Sequence, residues 1–156
     1  MYKKNVYIAG FPESCDASDL KEEISAIENM GYNIVNLRKI VEQENSKKEL
    51  KTQYNNKKES VCRLMEIGKK NYLAIKDCDC IIAMLGSPYF GSGSAADIGY
   101  GFAIGKPIVG YVKDNQSTDV FRTKNASIYY YIEASGGKVI HKPNKLVEEI
   151  KRLTSK

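Results

Sequence analysis

Three short runs of unbroken apolar character, VYIA (6–9), CIIAML (80–85) and PIVGYV (107–112), are separated by stretches in which apolar residues return every three or four positions. A strand with one wet face alternates apolar and polar residues, so a run that is apolar at every position must be covered on both faces. Strands of this kind, each followed by helical spacing, form a parallel sheet between two layers of helix, because parallel neighbours require a long crossover.

Two further strands complete the set: Ile34, Val35 and Leu37, and KVI at 138–140. Helical spacing runs through Leu20, Ile24, Ile27 and Met30, with Asp19 and Glu22 as a capping pair and Gly31 as the stop. It resumes through Val61, Leu64, Met65, Gly68, Tyr72 and Ile75, and again from about Ala95 to Ile104, closed by Gly105 and Pro107. A fourth helix is expected from Ser127 to Ala134, and a fifth, capped by Asn144 or its neighbours, turns Leu146, Val147, Ile150 and Leu153 inward. The expected fold is a doubly wound α/β domain with a five-stranded parallel sheet, one domain over residues 1–156 with no internal repeat or linker. Ligands of such sheets bind beyond the carboxyl ends of the strands, where the strand order switches. The loops after Ala9 and after Leu85 both leave those ends.

At 156 residues, 42% hydrophobic and 28% charged, the chain suffices for one ordinary core. The apolar part of MYKKNVYIAGF is too short for a signal-peptide core, and no run approaches a membrane span, so a cytoplasmic protein without a membrane partner is expected. The cysteines (Cys15, Cys62, Cys78, Cys80) have no metal-ligand spacing and His141 is the sole histidine, so reduced thiols and no metal site are expected. The net charge of +5 comes from lysine pairs at 47–48, 57–58 and 69–70, set among glutamates without an aromatic–basic motif. That is a solvated face rather than a nucleic-acid surface, although mild positive charge steers anionic metabolites. The polar stretch 41–60 reads as a loop or an exposed helix, a candidate lid.

The segment IAGFPE lacks both GxGxxG and GxxxxGK[ST], and the chain has no GxSxG and no HExxH. Dinucleotide, phosphate-loop, serine-triad and zinc chemistries therefore have no signature here, and no cofactor is expected. What remains is GSGSAADIG (91–99). Its glycines let backbone amides approach a ligand, Ser92 or Ser94 can cap the helix, and Asp97 lies near the positive end of the dipole, which favours its ionised form. An ionised carboxylate in a pocket is a nucleophile or an electrostatic partner for an oxocarbenium-like sugar centre. The plainer alternative is an acid that only complements the dipole, with serines that only form caps and turns.

Val6–Gly10, Ile75–Ala83, and Gly93–Gly101 with Gly105–Ile108, in that order, resemble the nucleoside 2-deoxyribosyltransferase family. The resemblance implies a flavodoxin-like fold, a homo-oligomer, and base exchange on 2-deoxyribose through a covalent glycosyl carboxylate. Related members hydrolyse nucleoside 5'-monophosphates. By the same resemblance, Asp97 takes the place of the nucleophilic glutamate, one methylene shorter with the same charge, and Tyr7 that of the tyrosine that orients it. The family's acidic base-recognition residue falls at Gly91, and a further polar position falls at Asn71. Gly10, Phe11, Asn71 and the turn Gly91, Ser92, Gly93, Ser94 would hold sugar and base, with serines 87, 92 and 94 also able to bind a phosphate. For the asparagine that a neighbouring subunit donates, Asn125 or the Tyr129–Tyr131 run are candidates. The implied function is transfer or hydrolysis of the N-glycosidic bond of nucleosides or their 5'-monophosphates; the alternative is a catalytically silent nucleoside- or nucleotide-binding sensor on the same fold.

Overall fold

The computed structural model describes residues 3–10, 20–36, 57–85, 90–113 and 125–155. Strands β1 (Asn5–Ala9), β2 (Asn33–Asn36), β3 (Cys80–Met84), β4 (Ile108–Tyr111) and β5 (Val139–Ile140) form one all-parallel sheet in the order β2-β1-β3-β4-β5. The chain steps outward from β1 to β2 and then returns across β1 to build the other side. The order therefore switches between β1 and β3, which pair in register from Val6↔Cys80 to Ala9↔Ala83.

Side chains alternate across a strand, and here each face finds its own apolar cover. Val6, Ile8, Ile34, Cys80, Ile82, Val109 and Tyr111 pack with Leu20, Ile27, Leu146, Ile150 and Leu153 under α1 (Lys21–Asn29) and α5 (Pro143–Thr154). Tyr7, Ala9, Ile81, Ala83 and Ile108 pack with Ile75, Ile98, Ile128 and Ile132 under α2 (Lys57–Asp77), α3 (Ser92–Ala103) and α4 (Ala126–Ala134). The architecture is the expected doubly wound, flavodoxin-like α/β sheet. One glycine makes the layers fit: a Cβ on Gly101 would lie 2.1 Å from Ile81 Cδ1, so only glycine lets α3 settle this close to the sheet.

The helices depart from expectation where periodicity meets geometry. Helix α1 is capped by Leu20 without a side-chain hydrogen bond, Asp19 lies outside the described residues, and Met30 is exposed. Helix α5 begins behind Lys142 with Pro143 in its first turn, so the start falls to a neighbour of Asn144. On α2 the residues that mark the helical spacing are mostly outside: Val61, Leu64 and Met65 are 54%, 68% and 70% exposed, whereas Ile75 is 1% exposed. Length explains this. A helix of 21 residues spans about 31 Å, while the five residues of β3 span about 17 Å. Its carboxyl end is anchored beside β3, where Lys106 Nζ donates to the Cys78 carbonyl at 2.7 Å, so the surplus turns run past the carboxyl edge of the sheet. The polar stretch at 41–60 is described only from Lys57, where it is helix.

Cys78 and Cys80 are core thiols, and burial pushes Cys78 up to about 11, while Cys62 is exposed and Cys15 lies outside the described residues. Among the described residues no helix is long and apolar enough to cross a membrane, and no group of three or more His, Cys, Asp or Glu side chains gathers as a metal site would require.

Candidate active site

Tyr7 is placed on the α2–α4 face by the alternation of β1 and is 1% exposed. Its hydroxyl donates to Asp97 Oδ2 at 2.7 Å, joining the middle of β1 to the helix that follows β3. The contact spans the switch in strand order, where the sheet topology leads one to look for a ligand.

The helix that carries Asp97 starts earlier than its sequence suggests. Gly91 is the N-cap in extended conformation, no side chain caps the helix, and the Gly91 carbonyl accepts from Ala95 N at 3.1 Å. Helix α3 therefore begins at Ser92 rather than Ala95, and neither Ser92 nor Ser94 serves as its cap. Glycine suffices there, since at an N-cap it costs only a few tenths of a kcal/mol relative to serine. Asp97 is consequently in the second turn, where the helix dipole has largely faded. The expectation that the dipole favours its ionised form gives way to a different balance: burial raises the Asp97 pKa, and the Tyr7 hydrogen bond partly offsets this. Tyr7 is itself driven far above the ordinary tyrosine range, by burial first and by the Asp97 charge second, so its proton stays on the phenol and points at the carboxylate. Among the described residues no cation forms an ion pair with Asp97.

The remaining expected residues surround this pair unevenly. Gly10 closes β1 with φ +86°, a left-handed turn suited to glycine, and Phe11 lies outside the described residues. Gly91, Ser92 and Gly93 are exposed and Ser94 is half-buried. Asn71, on α2, has its Oδ1 buried without a hydrogen-bond partner, next to Tyr72, whose ring meets Tyr100 at 5.0 Å. No acid stands at Gly91, and the residue before it is an aromatic that the sequence reading passed over. Phe90 is half-buried against the cluster that contains Tyr7, and its ring edge lies against Gly10. The only signal for it was a lone Phe between a Pro-Tyr pair and a Gly-Ser turn. Asn125 is the exposed N-cap of α4, Tyr130 is exposed, and Tyr131 stacks on Phe102 at 4.6 Å.

No curated protein sequence matches the chain. Among solved structures, a conserved protein from Enterococcus faecalis superposes with a TM-score of 0.67 at 21% identity, over 97% of this chain and 99% of its own. A CMP N-glycosidase from Clostridium botulinum superposes with a TM-score of 0.52 at 17% identity, over 96% of this chain and 98% of its own. At these identities the likeness is one of fold. The family model for nucleoside 2-deoxyribosyltransferases matches residues 6–148, a span that runs from Val6 in β1 past β5 and includes both members of the Tyr7–Asp97 pair; the chain belongs to the nucleoside 2-deoxyribosyltransferase family.

Proposed function

We propose that this protein is an enzyme that transfers or hydrolyses the N-glycosidic bond of a nucleoside or its 5'-monophosphate, with Asp97 as the nucleophile. The observation that carries this reading is the Tyr7–Asp97 hydrogen bond of 2.7 Å at the switch point, around a carboxylate that burial makes more basic than usual. Family membership and the shared fold of a CMP N-glycosidase support it.

In this mechanism Tyr7 holds Oδ2 and leaves Oδ1 to attack the anomeric carbon as the bond to the base nitrogen breaks. The bonding pair departs with the base, which takes up a proton, and the sugar remains as an ester of Asp97. Attack by a second base gives transfer; attack by water, which loses a proton, gives hydrolysis. Asn71, whose Oδ1 is buried without a hydrogen-bond partner, and Gly91–Ser94 at the start of α3 are the proposed contacts to sugar, base or phosphate.

The reading includes a homo-oligomer. Val61, Leu64 and Met65 on α2 and Tyr130 on α4 leave apolar surface exposed on the same side of the sheet as the site. Light scattering at micromolar concentration is expected to give a mass above the 17.5 kDa of one chain.

The test is to incubate the protein with a panel of nucleosides and nucleotides, with and without free acceptor base. Base released without acceptor identifies hydrolysis, and exchange identifies transfer. Binding with neither product replaces the enzyme with a nucleotide-binding sensor.

A further inference from the structure

We propose that Phe90 receives the nucleobase: its ring forms a stacking wall at the carboxyl ends of β1 and β3 and reads the base by its flat face rather than by its hydrogen-bonding edge. The inference rests on the nucleoside reading above and adds a residue and a specificity to it. Phe90 is placed by two elements at once. It directly precedes Gly91, the N-cap of the helix that carries Asp97, and it lies against Gly10, which ends the strand that carries Tyr7.

The contact with Gly10 is close. A Cβ built there would stand 3.0 Å from Phe90 Cδ2 and 3.4 Å from Met84 Cβ, so the ring edge rests on bare backbone. One side of Phe90 packs against the cluster of Tyr7, Ala9, Ala83 and Ile98, yet the residue is only half-buried. It is therefore packed along one edge with part of its surface open. The next three residues offer little to compete with it: Gly91 and Gly93 have no side chain, and Ser92 is short and exposed. Phe90 is thus the one large side chain among residues 90–94, where the helix that carries Asp97 begins.

Stacking on an aromatic ring is tolerant of base identity, because every base has a π-face. Purine and pyrimidine nucleosides are therefore both accepted, with affinities within about tenfold of each other. Removing the ring is expected to weaken either one by roughly tenfold to a hundredfold. Chemistry at the anomeric carbon, which Phe90 does not touch, is unchanged.

The experiment compares wild type with Phe90→Ala, Phe90→Leu and Phe90→Tyr, each first checked for a native circular dichroism spectrum. The ligands are deoxyadenosine, deoxycytidine and the base-free sugar 1,4-anhydro-2-deoxyribitol. Phe90→Ala is expected to raise KM for both nucleosides by roughly tenfold to a hundredfold, alter kcat by less than about threefold, and leave the affinity of the base-free sugar unchanged. Phe90→Tyr keeps wild-type KM and Phe90→Leu falls between. A KM unmoved in Phe90→Ala, an equal loss for the base-free sugar, or a loss confined to one base class overturns the proposal. If wild type turns over no nucleoside, the Asp97 mechanism fails separately, and the same comparison is read from Kd by calorimetry. A selective loss of nucleoside binding then upholds the stacking wall. Equal binding by wild type and Phe90→Ala, or no binding by wild type, ends it.

Discussion

Two tyrosine–carboxylate hydrogen bonds of identical length, 2.7 Å, lie on opposite faces of the sheet: Tyr7 to Asp97, and Tyr111 to Glu23. Their surroundings differ. Glu23 stands in the first turn of α1, where the positive end of the helix favours an anion, and Lys113 Nζ lies 3.5 Å from its Oε1. Asp97 stands in the second turn of its helix, with no such cation among the described residues. Glu23 is 3% exposed and keeps one oxygen, Oε2, without a hydrogen bond, yet a lysine stands beside it; among the described residues Asp97 has only a phenol. The carboxylate beside a lysine braces the sheet from behind, whereas burial raises the pKa of the one that has no cation among the described residues.

The comparison is broken most decisively by exchanging the consequences of two neutralising substitutions. Asp97→Asn is expected to lower base release at least roughly a thousandfold while nucleoside binding persists, because the amide keeps the size but offers no anionic oxygen. Glu23→Gln is expected to change kcat/KM by less than about threefold and to cost about 1–3 kcal/mol in urea unfolding, since a buried acceptor and its cation lose their match. Turnover retained in Asp97→Asn, or abolished in a folded Glu23→Gln, would dissolve the distinction.

A smaller effect is expected from the tyrosines. Tyr7→Phe removes the one hydrogen bond to Asp97 Oδ2 among the described residues, and on the proposed mechanism a misplaced nucleophile costs roughly a hundredfold in rate. The pH profile adds a reading that a packing defect would not give. On the proposed mechanism the reaction needs ionised Asp97, so kcat/KM is expected to fall as pH drops through its pKa. The Tyr7 hydrogen bond lowers that pKa; without it the acid limb moves to higher pH. Tyr111→Phe, on the other face, is expected to leave the limb in place. A limb that stays put in Tyr7→Phe would detach Asp97 from the titration.

Much of this arrangement was legible in the sequence, for physical reasons. An unbroken apolar run such as CIIAML has one solution, a strand covered on both sides, and the order of runs and helices fixes which loops meet. The family resemblance paired Tyr7 with Asp97, 90 residues away, and the two side chains are hydrogen-bonded. The start of α3 was not legible because glycine and serine suit a turn, a cap and a first helical turn equally well. Val61, Leu64 and Met65 showed helical spacing, but spacing says that a face is apolar and not what covers it. The direction of the Asp97 shift depends on burial, a tertiary quantity, and it outweighed the local dipole argument. Phe90 was overlooked because a lone aromatic in a loop has no period, and the Glu23–Tyr111 contact joins residues 88 apart without any motif. Phe11 lies outside the described residues.

The two carboxylates also differ in what they contribute to stability. Burial raises the Asp97 pKa in the folded protein above its unfolded value, so the unfolded chain gives up this proton first as pH rises. The contribution of Asp97 to stability is therefore greatest below pH ~4, where both states are protonated, and is lost as pH rises through the folded pKa. Above the folded pKa the ionised, half-buried side chain costs stability. Asp97→Asn, which still offers Tyr7 an acceptor, is expected to be more stable than wild type by about 0.5–1 kcal/mol at pH 7, in line with other sites where activity and stability conflict. The difference should shrink toward zero at pH ~4. Urea denaturation of the two proteins at both pH values measures it directly. An Asp97→Asn protein less stable than wild type at pH 7 would mean that the Asp97 charge is compensated after all, and the contrast with Glu23 would vanish.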